Sequence, residues 1–188
     1  MEDAALAKVR REYARTYSVP EEKVEVREGD LHIHIASRNG HLHILHGLVE
    51  SGERPNTFTP CGLAPVHMAA QEGHLELVQY LVDRGAGVNV AEIAGWLPIH
   101  FASSHGHVNV LQFLVGHGAS VHAANSDGFT PLHLASSHGQ LEAMKCLIQH
   151  GAAVHAADKD GWMPAHLAAS HGQTQALQFL IDQGAKFG

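Results

Sequence analysis

Five histidines stand at positions 34, 67, 100, 133 and 166, each 33 residues after the one before. Glycines keep the same step in three registers. One runs Gly29, Gly62, Gly95, Gly128, Gly161; a second runs Gly40, Gly73, Gly106, Gly139, Gly172; a third runs Gly52, Gly85, Gly118, Gly151, Gly184. A chain that copies itself at this interval is an array of one supersecondary unit. Such a unit cannot bury its apolar face alone, so it stacks on its neighbours and the core runs through the array.

The unit is clearest between residues 125 and 155. Asp127-Gly128 signals a turn. Thr130 suits an N-cap, and Pro131 suits the first helical position, where its missing N–H costs nothing. Leu132, Leu134, Ala135 and Ser136 then form a short helix with small residues on one side, which lets a second helix approach closely. Gly139 ends it. From Gln140 to His150 a second helix carries Leu141, Met144, Leu147 and Ile148 at spacings of three and four, a buried stripe. Gly151 ends that helix, and an extended arm through His155 leads to the next turn.

Thr130-Pro131-Leu132-His133-Leu134-Ala135 matches the ankyrin signature residue for residue, at the ankyrin period. Ala64-Pro65-Val66-His67, Leu97-Pro98-Ile99-His100 and Met163-Pro164-Ala165-His166 keep its proline and histidine. The chain therefore resembles the ankyrin repeat family. The resemblance implies an all-α solenoid of helix-turn-helix units joined by β-turn or hairpin loops. The expected repeats run over 28–57, 58–90, 91–123, 124–156 and 157–188. The first departs most: Leu31-His32-Ile33-His34 has no proline, as a terminal capping unit permits. The last places Thr174 and Gln175 where other copies carry Leu75, Val108 or Leu141, which reads as a polar cap or as an excised fragment ending at Gly188. Residues 1–27 lie outside the repeat and read as an N-terminal helical cap. Leu6, Val9, Tyr13 and Tyr17 form one stripe and Lys8, Arg10, Arg11 and Arg15 the other side. Ser18 and Glu21 are expected to box a second short helix. A docking helix for a partner is the other reading of this segment.

Composition narrows the function. Apolar residues make up 45% and charged residues 16%, which suits a continuous core and not a disordered chain. The net charge is −7 and no basic stripe exists, so nucleic acid is a poor partner. No run reaches about 18 apolar residues, so no membrane span is expected. Met1-Glu2-Asp3 is acidic and no apolar run follows, so no secretory leader is expected. Cys61 and Cys146 are no disulfide framework, which points to the cytoplasm or nucleus. Cys146 occupies the helix position of Tyr80, Phe113 and Phe179 and should be buried and inert. No phosphate loop, nucleophile elbow or paired carboxylate pattern is present. The expectation is a non-enzyme without cofactor.

The 18 histidines invite metal or pH chemistry. The resemblance assigns the 33-step series a structural role, bonding the backbone of adjoining turns. His41, His74 and His107 follow the inter-helix glycine. His117 and His150 precede the second helix-ending glycine, where a cation favours the helix end. Equivalent side chains in neighbouring repeats lie a helix-packing distance apart, roughly 8–10 Å, too far to share an ion. Only His43 with His46, or His105 with His107, are close, and neither has a third ligand. No metal site is expected. A His-rich pH-sensitive or metal-binding module stays an alternative.

The resemblance also places the binding surface. Leu63, Trp96, Phe129 and Trp162 directly follow the turn glycine, on the side that is concave in ankyrin proteins. Beside them run Gln71, Ser104, Ser137 and Ser170, then Glu72, His105, His138 and His171; Arg38 and Asn39 continue both columns into the first repeat. This reads as a groove for a protein surface or a linear peptide, bound by a monomer. Packing of Trp96 and Trp162 onto the core edge is the competing reading. A structural segment or regulatory part of a larger, possibly enzymatic, protein is the alternative to binding. Asn89 holds the arm position that the family's asparaginyl hydroxylase modifies, with His122 and His155 at the same place in later repeats; a turn-stabilising side chain is the simpler reading.

Overall fold

The computed structural model describes residues 4–27 and 30–185. Met1-Glu2-Asp3, the expected repeat start at 28, Gly29 and Gly188 lie outside the described residues. Eleven helices occupy the rest: α1 (Ala4–Tyr17), then five pairs, α2 (His32–Arg38) with α3 (Leu42–Glu50), α4 (Pro65–Gln71) with α5 (Leu75–Asp83), α6 (Pro98–His105) with α7 (Val108–Gly116), α8 (Pro131–Ser137) with α9 (Leu141–Gln149), and α10 (Pro164–Ser170) with α11 (Thr174–Asp182). No strand occurs among the described residues. First helices pack on first helices and second helices on second helices, in chain order.

The core follows the period. Ala36, Ala69, Ala102, Ala135 and Ala168 are all fully buried, and each lets the neighbouring first helix approach closely. Ile33, Val66, Ile99, Leu132 and Ala165 are buried on the same helices, and Leu48, Leu81, Leu114, Leu147 and Leu180 on the second helices.

Polar bridges then fix one repeat upon the next. His34, His67, His100 and His133 are buried completely. The Nδ1 of each accepts the backbone N–H three residues upstream, from Leu31, Ala64, Leu97 and Thr130, at 2.9–3.1 Å. The Nε2–H donates to the chain that leads into the next finger, to the Thr57 carbonyl at 2.9 Å, Val90 at 2.9 Å and Ala123 at 3.1 Å, and for His133 to the Trp162 carbonyl in the following repeat at 3.0 Å. An imidazole that accepts at one nitrogen and donates at the other is neutral. The Thr130 hydroxyl contacts the same His133 Nδ1 at 2.8 Å and caps no backbone N–H.

A second bridge runs along the opposite end of the first helices. His74 donates to the Arg38 carbonyl at 3.0 Å and His107 to the Gln71 carbonyl at 2.8 Å; Gln140 and Gln173 do the same for Ser104 and Ser137 at 3.1 and 3.3 Å. His41 starts this row and has no earlier repeat to reach. Its Nδ1 meets the Tyr13 hydroxyl of α1 at 3.0 Å, with the rings stacked at 5.9 Å. Tyr17 reaches His32 Nδ1 at 3.0 Å. Tyr13 is fully buried, and burial raises its phenol pKa, with Tyr17 beside it adding to the rise. The Asn39 amide bonds the Glu25 backbone in both directions, at 2.7 and 2.9 Å. The α1 segment thus sits where a preceding repeat would stack.

The expected capping box at Ser18 and Glu21 does not form. Only one 3-10 turn, Glu21–Lys23, follows, and its cap is Pro20 with no side-chain bond. Ser18 instead takes a left-handed φ of 55° and ends α1, with the Val19 N–H closing onto the Ala14 carbonyl at 3.1 Å.

Each inter-repeat loop is a tight finger. Thr59, Glu92, Asn125 and Asp158 start the fingers, and each backbone N–H bonds the carbonyl of Leu63, Trp96, Phe129 or Trp162 four residues on, at 2.9–3.1 Å. Successive fingers are tied by Ile93 N–H to Cys61 O at 3.5 Å, Ser126 N–H to Ala94 O at 2.9 Å and Lys159 N–H to Asp127 O at 3.0 Å.

Burial pushes the His34, His67, His100 and His133 pKa values down, against the weaker upward pull of their carbonyl partners. The unfolded chain protonates near the ordinary value of about 6.5 while the folded chain resists. Stability is therefore complete above about pH 6.5 and is lost as pH falls toward the depressed folded values, at up to about 1.4 kcal/mol per pH unit for each histidine. Thermal melts should be level from about pH 8 to pH 7 and drop steeply by pH 5; a level curve throughout contradicts the neutral bridges. The same turn position occurs with and without a following finger. Gly128 and Gly161 have φ of 91° and 83°. A Cβ on Gly128 would lie 2.8 Å from the Lys159 backbone nitrogen, whereas one on Gly161 meets nothing within 4 Å. Gly161→Ala should cost about 1–2 kcal/mol for the left-handed backbone alone, and Gly128→Ala measurably more in denaturant titrations.

Candidate binding groove

The finger geometry decides where the rung residues point. In every finger one side-chain oxygen accepts the N–H groups of the turn. Asn125 Oδ1 takes those of Asp127 and Phe129, both at 2.9 Å. Asp158 Oδ1 takes those of Asp160 at 2.9 Å and Trp162 at 2.8 Å. Glu92 Oε1 takes those of Ala94 at 2.8 Å and Trp96 at 3.0 Å, and Thr59 Oγ1 that of Leu63 at 3.1 Å. This column was missed in the sequence because four residue types fill it. The signal was an acceptor side chain three residues before each turn glycine, the pattern of a side chain mimicking a turn.

The rung rings lean on the bridging histidines. Trp96, Phe129 and Trp162 meet His100, His133 and His166 edge-to-face, with centroids 6.1, 5.9 and 6.1 Å apart. Trp96 also packs on Phe101 at 5.6 Å and is half-buried, as are Leu63 and Phe129. Trp162 is 43% exposed.

The structure brings part of the expected surface together. Phe129, Trp162, Ser170 and His171 line one hollow of about 360 Å³, with Asp158, Asp160 and Leu167. A second hollow of about 580 Å³ lies against Trp162, Asp160 and Ser170, lined also by Gly161, His166 and Ala169. Ser104 and Ser137 differ from expectation: both are buried, and their hydroxyls donate to the Phe101 and Leu134 carbonyls at 3.0 Å. Each hydroxyl also meets the following histidine, His105 at 2.8 Å and His138 at 2.9 Å, within its own helix end. Ser170, with the same bond to Leu167 O at 3.0 Å, is exposed. His105, His138 and His171 are exposed, and each Nδ1–H donates back to its own helix end, at 3.0 Å to Phe101, Leu134 and Leu167. Gln71 and Glu72 are half-buried.

The groove closes at the first repeat. Arg38 is buried, with Nη2 donating to Asp30 at 3.2 Å and to the Met68 sulfur at 3.4 Å. Asn39 is held by Glu25.

A family model described as ankyrin repeats (3 copies) matches residues 33–125 and 117–188. The chain belongs to the ankyrin repeat family. No curated protein matches it. Ankyrin repeats are generally protein-interaction modules. The other ankyrin-derived expectations have definite places. Asn89 is exposed and its amide donates to the Gly118 carbonyl at 3.0 Å, tying one arm to the next helix end. His122 and His155 are exposed. His117 and His150 donate through Nδ1 to the Phe113 and Cys146 carbonyls at 2.8 Å. Cys146 is buried, which raises its thiol pKa, and Cys61 is exposed at a fingertip. His105 and His107 stack at 6.1 Å, but among the described residues no group of three or more His, Cys, Asp or Glu converges as a metal would need. Among them, too, no helix is long and apolar enough to cross a membrane.

The two tryptophans should therefore behave differently. Trp96→Ala removes a ring packed on Phe101 and His100 and should cost about 2 kcal/mol, whereas Trp162→Ala should stay within about 1 kcal/mol. Urea titrations of the two variants give the comparison; equal costs would mean that both rings serve packing alone.

Proposed function

We propose that this ankyrin chain binds an extended peptide segment, or the edge of a protein surface, along the groove of its finger rungs, as a monomeric and non-catalytic module of the cytoplasm or nucleus. The observation that supports it most is the hollow shared by Phe129 and Trp162. Two aromatic rungs from successive repeats and the Ser170–His171 pair converge on one recess. Large aromatics beside polar groups are the composition of binding hot spots. The compartment rests on the unpaired Cys61 and Cys146.

Spacing gives the ligand its form. Stacked helices are roughly 8–10 Å apart. An extended or polyproline II peptide advances about 3.1–3.3 Å per residue, so every third side chain meets a new rung. A globular partner would instead have to present a ridge of matching pitch.

Affinity capture from native lysate, comparing the wild-type chain with Trp96→Ala/Trp162→Ala, tests this. Wild type should retain a discrete partner that the double variant loses by about tenfold or more, while the single Trp162→Ala variant loses most of the capture at nearly unchanged melting temperature. Capture that survives both substitutions places recognition elsewhere on the solenoid.

A further inference from the structure

The groove changes character along its length. At the corresponding fingertip site stand Cys61, Ala94, Asp127 and Asp160, and the acceptor beneath the last rung is the carboxylate Asp158 where the preceding fingers use Asn125, Glu92 and Thr59. Asp158 and Asp160 both line the hollow between Phe129 and Trp162. Asp158 uses one oxygen on the turn, and an ionised carboxylate has acceptor capacity beyond two bonds. Lys159 is the one Lys or Arg between positions 146 and 185, and it lies exposed at the tip. Against the Phe129 ring lies His133, whose pKa burial pushes down. The recess thus joins a part-exposed indole, a second aromatic ring, the apolar Leu167, the Ser170–His171 pair and two carboxylates.

We propose that this recess receives a lysine or arginine side chain of the bound segment, its aliphatic stem against Phe129 and Leu167 and its charged head over Trp162 beside Asp158 and Asp160. A cation within about 6 Å of an indole centroid is attracted by the ring quadrupole, and the carboxylates add a charge-assisted partner. The stem suits the apolar walls, because long cationic side chains bury their methylenes while the head stays polar. A neutral apolar side chain would offer no partner to the Asp160 carboxylate or to the second oxygen of Asp158. The inference deepens the groove reading and rests on it: it assigns the chemistry of one ligand position.

The chain's own repeats supply clean variants. Asn125 makes the same two turn bonds as Asp158, so Asp158→Asn removes charge and keeps the cap. Leu63 stands where Trp162 does, so Trp162→Leu keeps an apolar rung. The probes are peptides of the form acetyl-Leu-Ala-Ala-Xaa-Ala-Ala-Leu-amide with Xaa as Arg, Lys, Met or Glu, titrated calorimetrically into the full chain. The Arg and Lys peptides should bind about tenfold tighter than the Met peptide, with Glu weakest. Asp158→Asn/Asp160→Asn and Trp162→Leu should each erase the preference at an unchanged melting temperature. If the double variant melts early, Asp160→Asn alone carries the test, since no turn bond uses its side chain. A Met peptide as tight as Arg and Lys, or a preference that survives both variants, overturns the cation site and leaves the groove standing. No binding by any of the four peptides overturns both.

Discussion

A neutral imidazole between repeats is the constraint on which this solenoid depends. The position needs an acceptor on one side and a donor on the other, about a ring's width apart. Nδ1 takes the N–H that opens the first helix, and Nε2–H reaches a carbonyl of the next arm. A carboxylate has no donor. An amide carries its donor and acceptor at the same end and cannot span the gap. Histidine alone fits, and it stands at this position in all five repeats. The row at the other end of the first helices confirms the logic by contrast. There one donor suffices, and Gln140 and Gln173 replace His74 and His107 with the same bond.

The bridge also explains why the groove is ordered. The carbonyl that His133 holds belongs to Trp162, so the backbone of an aromatic rung is anchored to the helix of the preceding repeat. The rung ring then leans edge-on against its own repeat's histidine. Backbone position comes from one imidazole and side-chain pose from the next. At the first repeat Arg38 is buried on Asp30 and α1 packs beside it, so the proposed recognition surface belongs to the later repeats.

Much of this was legible in the sequence and some of it was not, for a physical reason. Helix pairs and turn glycines follow from period and local pattern, because each is decided within one unit; the role of the histidines, which join one unit to the next, came only with the resemblance to ankyrin repeats. The burial of Ser104 and Ser137 is decided between units. A residue at the end of a first helix faces groove or neighbour according to the rise and rotation of the next repeat, which no single window contains. The acceptor column at Thr59, Glu92, Asn125 and Asp158 escaped for a different cause: four side chains supply one oxygen, so identity does not repeat although function does. The Ser18–Glu21 box failed because the chain between α1 and the first repeat must turn back within a few residues, and a left-handed Ser18 achieves that where a new helix would not.

Variation inside the array divides labour among positions. The bridging histidine, the buried alanine and the turn glycine hardly change from copy to copy, since each must fit an identical neighbour. The rung, the fingertip and the turn acceptor do change: Leu63 to Trp162, Cys61 to Asp160, Thr59 to Asp158. Stacking leaves these side chains freer: the fingertip enters the finger-to-finger bonds through its backbone carbonyl alone, and the acceptor's side chain serves its own finger. The fingertips therefore give the groove a direction, from Cys61 and Ala94 at the earlier repeats to Asp127 and Asp160 at the later ones, with the rung passing from Leu63 to Trp162. A segment lying along it would meet different chemistry at each end, so the two possible orientations of an extended ligand differ in energy. A solenoid of identical copies would have no such preference. Departure from the repeat, at positions the fold leaves free, is what gives a regular scaffold the means to read a sequence.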